Sequence, residues 1–192
     1  MADPKLHLAS QSPRRQDILR SLGLSFTAAG VDVNEQRLQR ELPEAMALRL
    51  SRAKAMAADV DPSRIVIGAD TLVVLEDIVF GKPKDRDECL EMLASLSGRT
   101  HCVLTGVAVL ASGKIQTVVS ITEVKFREIS PDEALAYWHS GEPCDKAGAY
   151  AIQGRGGIFV EAISGSYSGV VGLPVFETSQ LLRNAGLRVL TE

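Results

Sequence analysis

Several kinds of side chain are scarce in this sequence, and each scarcity closes off a class of function. The three cysteines, Cys89, Cys102 and Cys144, are odd in number, widely separated and form no C-x-x-C pair. The histidines, His7, His101 and His139, are equally scattered. Such spacing argues against a zinc site or a disulfide framework; reduced thiols are expected, and any metal would be a hard ion held by oxygens. No apolar run approaches the ~18 residues that suggest a membrane span. The first residues lack the apolar core of a signal peptide, so the expected compartment is the cytoplasm. Aromatics make up 5% of the chain and its formal net charge is −3. Together these speak against a broad nucleic-acid-binding face. Glycines are missing where a P-loop or a G-x-G-x-x-G loop would need them.

What remains is a 192-residue chain, long enough to bury most of its apolar surface unaided. No repeat, low-complexity tract or linker interrupts it, so one domain over residues 1–192 is expected. Short apolar strands alternate with amphipathic helices. Lys5–Ala9 reads as a strand, followed by a helix with Ser12 as N-cap, Pro13 in its first position and Gly23 at its stop. Glu44–Ala58 carries Met46, Leu50, Ala53 and Ala57 at helical spacing. Ile65–Gly68 and Leu72–Leu75 read as strands on either side of Asp70, with a turn at Glu76-Asp77 into Ile78–Phe80. Asp87–Leu96 is helical. Cys102–Ala111 and Ile115–Arg127 are strands joined at Ser112-Gly113, and Ser130-Pro-Asp-Glu133 is a capping box. Ala151–Gln153 and Phe159–Ile163 read as short extended pieces, Gly154–Gly157 as a hairpin loop, and Val175–Asn184 as the last helix. The frequent hairpins point to a mixed α/β sheet flanked by helices rather than a purely parallel one.

Three clusters hold residue types suited to chemistry. Leu8-Ala-Ser-Gln-Ser-Pro-Arg-Arg15 leads from a strand into a helix N-terminus, where phosphate gains from backbone N–H groups and the helix dipole. Ser10, Arg14 and Arg15 add a hydroxyl and two planar forks. Its plain alternative is a capped helix with two solvated arginines. Asp70, in Gly68-Ala-Asp-Thr71, is either a turn former between two strands or a carboxylate that holds Mg²⁺ or orients water. Glu35 is a second candidate carboxylate, and Lys54 and Lys82 are further cations. The run from Gly141 to Gly154 gathers Asp145, Lys146, Tyr150 and Gln153. The Gln153 amide both donates and accepts, and so can face a base edge; the alternative is a surface loop. His101, Tyr137 and Trp138 are expected to pack or cap.

Taken in order, these segments resemble the Maf family of nucleotide pyrophosphatases. The likeness lies in Ala9-Ser-Gln-Ser-Pro-Arg-Arg15, Gly68-Ala-Asp-Thr71, Gly81-Lys-Pro83, Thr105-Gly106, Glu142-Pro143, Asp145-Lys-Ala-Gly148, Ile152-Gln-Gly154 and Val171-Gly-Leu-Pro174. It spans nearly the whole chain. The resemblance implies a mixed central sheet flanked by helices, with two lobes around a cleft as in inosine triphosphate pyrophosphatases. It implies hydrolysis between the α and β phosphates with a divalent cation, Mg²⁺ or Mn²⁺, and a homodimer. By matching position Asp70 becomes the proton acceptor, and Ser10, Arg14, Arg15, Glu35, Lys54 and Lys82 lie along the phosphate and metal path, with Glu35 and Asp70 as metal ligands. Arg14, Thr71 and Gln153 match specificity positions. The run Asp145–Gly154 looks like the branch acting on dTTP and UTP, except that Ala151 stands where that branch commonly has Gly. The rival reading is a nucleotide-binding regulator of cell division without important catalysis.

Overall fold

The computed structural model describes residues 5–190. In chain order they form β1 (Leu6–Leu8), α1 (Pro13–Ser21), β2 (Phe26–Ala28), α2 (Pro43–Met56), β3 (Ile65–Leu75), β4 (Ile78–Phe80), α3 (Arg86–Leu96), β5 (Thr100–Ala111), β6 (Lys114–Phe126), α4 (Pro131–His139), β7 (Val160–Ser164), α5 (Tyr167–Val171) and α6 (Val175–Asn184). Single 3₁₀ turns occupy Glu142–Asp145, Ala147–Ala149 and Arg155–Phe159. The sheet is mixed, with order β2-β1-β3-β5-β6-β7 and β4 paired to β3. β1 runs parallel to both β2 and β3, while β3–β4 and β6–β7 are antiparallel. Ser112 and Gly113 both take positive φ in the turn from β5 to β6, as a two-residue hairpin turn requires. Among the described residues no helix is long and apolar enough to cross a membrane.

The chain divides into two compact units. The first comprises the chain up to Asp70, Thr105–Ser120, and the chain from Gly172 onward. Strand alternation gives its part of the sheet two apolar faces. Leu6, Leu8, Ile67, Ala69, Val107 and Val109 pack with Leu19 of α1 and Leu181 and Leu182 of α6. Ala9, Val66 and Ala108 pack with Ala55 of α2. On that second face two glycines set how closely α2 can lie. A Cβ on Gly68 would fall 2.2 Å from the Ser51 carbonyl oxygen, and one on Gly106 2.3 Å from that of Ala47. The helix backbone therefore rests directly on the strands. Asp70 is two residues beyond Gly68 and shares its face.

The second unit comprises Thr71–Leu104 and Ile121–Val171. Its core joins aliphatic side chains to a group of rings: Phe126 meets His101 and Tyr150 edge-on at 4.8 Å between ring centres, and Phe159 meets Tyr137 at 5.2 Å. Asp85 caps α3 by accepting from the Glu88 amide, and the capping box at Ser130 and Glu133 is complete. Thr122, Val124 and Phe126 point inward along β6.

Three expectations are corrected. Asp70 does not end a strand; β3 runs unbroken from Ile65 to Leu75, because its backbone stays paired on both sides of an apolar run. Ser12 is the N-cap residue of α1 and Pro13 opens the helix, as expected, though the Ser12 hydroxyl makes no capping bond. Ala151–Gln153 is a turn, and Gly154–Gly157 runs into a 3₁₀ turn, because Glu142 draws the amides of Arg155 and Gly156 inward at 2.9 and 3.0 Å. β2 and α5, each five residues or fewer, carry too little periodicity to be read in advance.

His101 is 2% exposed, with Nε2 2.9 Å from the Tyr150 hydroxyl and Nδ1 lacking a hydrogen-bond partner. Burial pushes its pKa down to about 4 from the ordinary 6.5. The folded state thus keeps the ring neutral while the unfolded chain protonates it. The stability this confers is complete above pH 6.5 and drains away as pH falls toward 4. Urea unfolding of wild type between neutral pH and pH 5 is expected to show a loss of roughly 2 kcal/mol from this group. His101→Gln, measured alike, should lack that component.

Candidate active site

In the first unit the turn after β1 doubles back on Ser10. Its Oγ accepts from the Ser12 amide at 3.2 Å and from Arg15 Nη1 at 3.3 Å. Arg15 also donates from Nε to the Gly172 carbonyl at 2.8 Å, tying the first turn of α1 to the segment before α6. This guanidinium is half-buried, and burial draws its pKa below the usual range. The neighbouring Arg14 adds to the fall, while the negative charges of Asp70 and Glu35 oppose it. The arginine turn and the two carboxylates therefore lie in one another's fields.

Lys54 joins those carboxylates. Because α2 rests on β3 at Gly68, the next side chain outward on that strand face, Asp70, meets the last turn of the helix. Lys54 Nζ lies 2.6 Å from Asp70 Oδ1 and 2.6 Å from Glu35 Oε1. The Asp70 and Lys54 side chains are 10% and 12% exposed, whereas that of Glu35 is 58% exposed. One carboxylate is thus anchored in a strand, the other carried on an open segment. Of the residues singled out from sequence, Ser10 bonds Arg15, and Lys54 pairs with Glu35 and Asp70; the two groups, with Arg14, meet through their charges.

Thr71, Lys82 and Gln153 belong to the second unit. Thr71 is the half-buried residue after Asp70 on β3. Lys82 is exposed; its neighbour Gly81 accepts from the Gly148 amide at 3.0 Å. Gln153 is exposed in a turn braced from below. Tyr137 donates to Glu142 Oε1 at 2.7 Å and accepts from the Ala151 amide at 3.1 Å, and Glu142 takes the Arg155 and Gly156 amides. The dense run around Gln153 is thus largely structural: Tyr150 packs in the core, and Asp145 pairs with Lys146. Sequence reasoning did not single out Glu142 as the brace, although the Glu142-Pro143 pair lies in the motif that carries the family likeness. Among the described residues no three His, Cys, Asp or Glu side chains gather. A hard cation would find here the oxygens of Asp70 and Glu35.

A family model described as "Maf-like protein" matches residues 5–185. A protein of Saccharophagus degradans named dTTP/UTP pyrophosphatase is 49% identical, over 92% of this chain and 87% of its own. One of the same name from Vibrio cholerae is 50% identical, over 95% and 98%. A solved structure of a HAM1 protein from Coxiella burnetii superposes with a TM-score of 0.51 at 14% identity, covering 94% of this chain and 98% of that one. That likeness is one of fold.

Arg15→Met removes two hydrogen bonds from a charged, half-buried group and leaves the Gly172 carbonyl without this donor. It should lower unfolding stability in urea by about 1–3 kcal/mol. Arg20→Met, on the exposed side of the same helix, should change it by less than about 0.5 kcal/mol.

Proposed function

The chain belongs to the Maf family, and from that membership we propose that it hydrolyses dTTP and UTP to the nucleoside monophosphate and pyrophosphate. The near 50% identity to proteins of that name, over almost their full length, supports the substrate. The observation that carries the chemistry is the buried Asp70–Lys54 contact beside the Ser10–Arg15 turn. A regulator that only bound nucleotide would have no use for a carboxylate held there.

In this reading Ser10, Arg14, Arg15 and Lys54 hold the triphosphate, with Lys82 completing the set of cations. Asp70 orients a water in line with the α-phosphorus and takes its proton as the new P–O bond forms. The bond from the α-phosphorus to the bridging oxygen breaks, and pyrophosphate leaves with the electron pair, its charge balanced by the arginine and lysine groups. Thr71 and Gln153 are assigned to base selection, the Gln153 amide matching the adjacent donor and acceptor of uracil or thymine.

Glu35 and Asp70 are the residues that would hold Mg²⁺ or Mn²⁺. Two carboxylates completed by phosphate oxygens and water form a donor set such ions accept. When bound, the ion supplies charge neutralisation at the phosphate oxygens. The same reading takes residues 1–192 as one family domain that acts as a cytoplasmic homodimer, without nucleic-acid or membrane partners.

Asp70→Asn should lower kcat for pyrophosphate release from dTTP by roughly 10²-fold or more, with its thermal midpoint retained. Near-wild-type turnover would remove Asp70 from its role. Anion-exchange analysis of a dTTP digest should show monophosphate and pyrophosphate. Accumulating diphosphate with orthophosphate would mean cleavage at the γ position and sink the reading.

A further inference from the structure

Glu35 reaches Lys54 from residues 29–42, a segment with neither helix nor strand. Holding such a segment in one conformation costs on the order of 1–2 kcal/mol per residue in backbone entropy alone. Something must offset that cost, and four of the bonds that do so come from one side chain of α2.

Arg49 grips Glu41 with two parallel bonds, Nε to Oε1 at 2.6 Å and Nη2 to Oε2 at 2.8 Å. The same guanidinium reaches the backbone on both sides of Glu35. Nη2 donates to the Gln36 carbonyl at 3.0 Å, and Nη1 to the Asn34 carbonyl at 3.4 Å. Glu41 is itself built in, its side chain only 8% exposed. Its Oε2 also accepts from the Leu38 amide at 3.0 Å, and its carbonyl accepts from Arg37 Nε at 2.8 Å. The Asn34 side chain closes a local turn by accepting from the Gln36 amide at 3.0 Å. The Glu41 bond holds the Arg49 pKa above its usual range against the effect of burial, and the Asp70 charge adds to the rise. Arg49 therefore senses the centre it does not touch. Lysine, a point charge on a flexible stem, cannot hold two carbonyls and a carboxylate in one plane.

We propose that Arg49 is a positioning residue for the hydrolysis: by clasping the carbonyls of Asn34 and Gln36 it fixes Glu35 against Lys54, so that one helix supplies both the ammonium and the clasp that brings its second carboxylate. The proposal rests on the reading of the Asp70–Lys54–Glu35 group as the reactive centre.

The test is a double-mutant cycle on pyrophosphate release from dTTP, using the full chain. Arg49→Met is made in wild type and in Glu35→Gln, with amide hydrogen exchange over residues 34–41 and the unfolding midpoint recorded for each. In wild type the substitution should lower kcat/KM by about 10- to 100-fold, the scale for groups that orient a reactive residue, and should speed exchange over 34–41. In Glu35→Gln the same substitution should cost less than about threefold, because the route through Glu35 is already gone. Equal losses in both backgrounds would overturn the proposal, since Arg49 would then act independently of Glu35. So would faster exchange with unchanged kcat/KM. If Arg49→Met does not fold, Arg49→Lys carries the same cycle under the same criteria, with a smaller loss expected. A wild type that releases no pyrophosphate sinks the hydrolase reading and the positioning role together, whereas an active wild type with additive losses sinks the positioning role alone.

Discussion

The closeness of the α2 backbone to strands β3 and β5 is the constraint on which the first unit's chemistry depends. At Gly68 and Gly106 no side chain stands between helix and sheet, and the carbonyls of Ser51 and Ala47 take up the space a Cβ would need. A lysine on the last turn of such a helix can reach an aspartate within the sheet at 2.6 Å. The resulting ion pair is a poor source of stability, since removing both charges from water offsets much of their attraction. Its value lies in holding a carboxylate at a fixed point on a paired strand, where only two side-chain torsions remain to be set.

Around that pair the charges are balanced toward an anion. Lys54, Arg14 and Arg15 face two carboxylates, which leaves the group cationic by one charge. Arg15 is held there against the cost of burial partly by the negative charge of Asp70 and Glu35. A triphosphate tail brings several negative charges, more than this surplus offsets. A divalent cation, if held by Glu35 and Asp70 as proposed, would offset much of that difference.

Much of this was legible in the sequence, and the failures share a cause. Pro13 marked a helix start, the Ser130 box a capped one, and Ser112-Gly113 a hairpin turn, because each feature acts within a few residues. The grouping of Ser10, Arg15, Lys54, Glu35 and Asp70 came from motif order, not from any local rule. Asp70 was misplaced at a strand end because an acid after a glycine looks like a break, whereas long-range pairing carries the strand through. The run near Gln153 could be read from sequence as a base-reading segment or as a surface loop. Only the packing of Tyr150 on Phe126 and the reach of Glu142 to Arg155 separate its supporting residues from the exposed amide. The Arg49–Glu41 clasp was invisible because it joins a helix to an irregular segment through backbone carbonyls, which carry no residue identity.

The two carboxylates on Lys54 differ in their setting. Asp70 is shielded within the sheet, but Glu35 meets solvent. Dissolved ions screen the exposed contact far more than the sheltered one, over a Debye length of about 8 Å at physiological ionic strength. Rising salt should therefore loosen the Glu35 leg first, leaving the ammonium leaning on the strand alone.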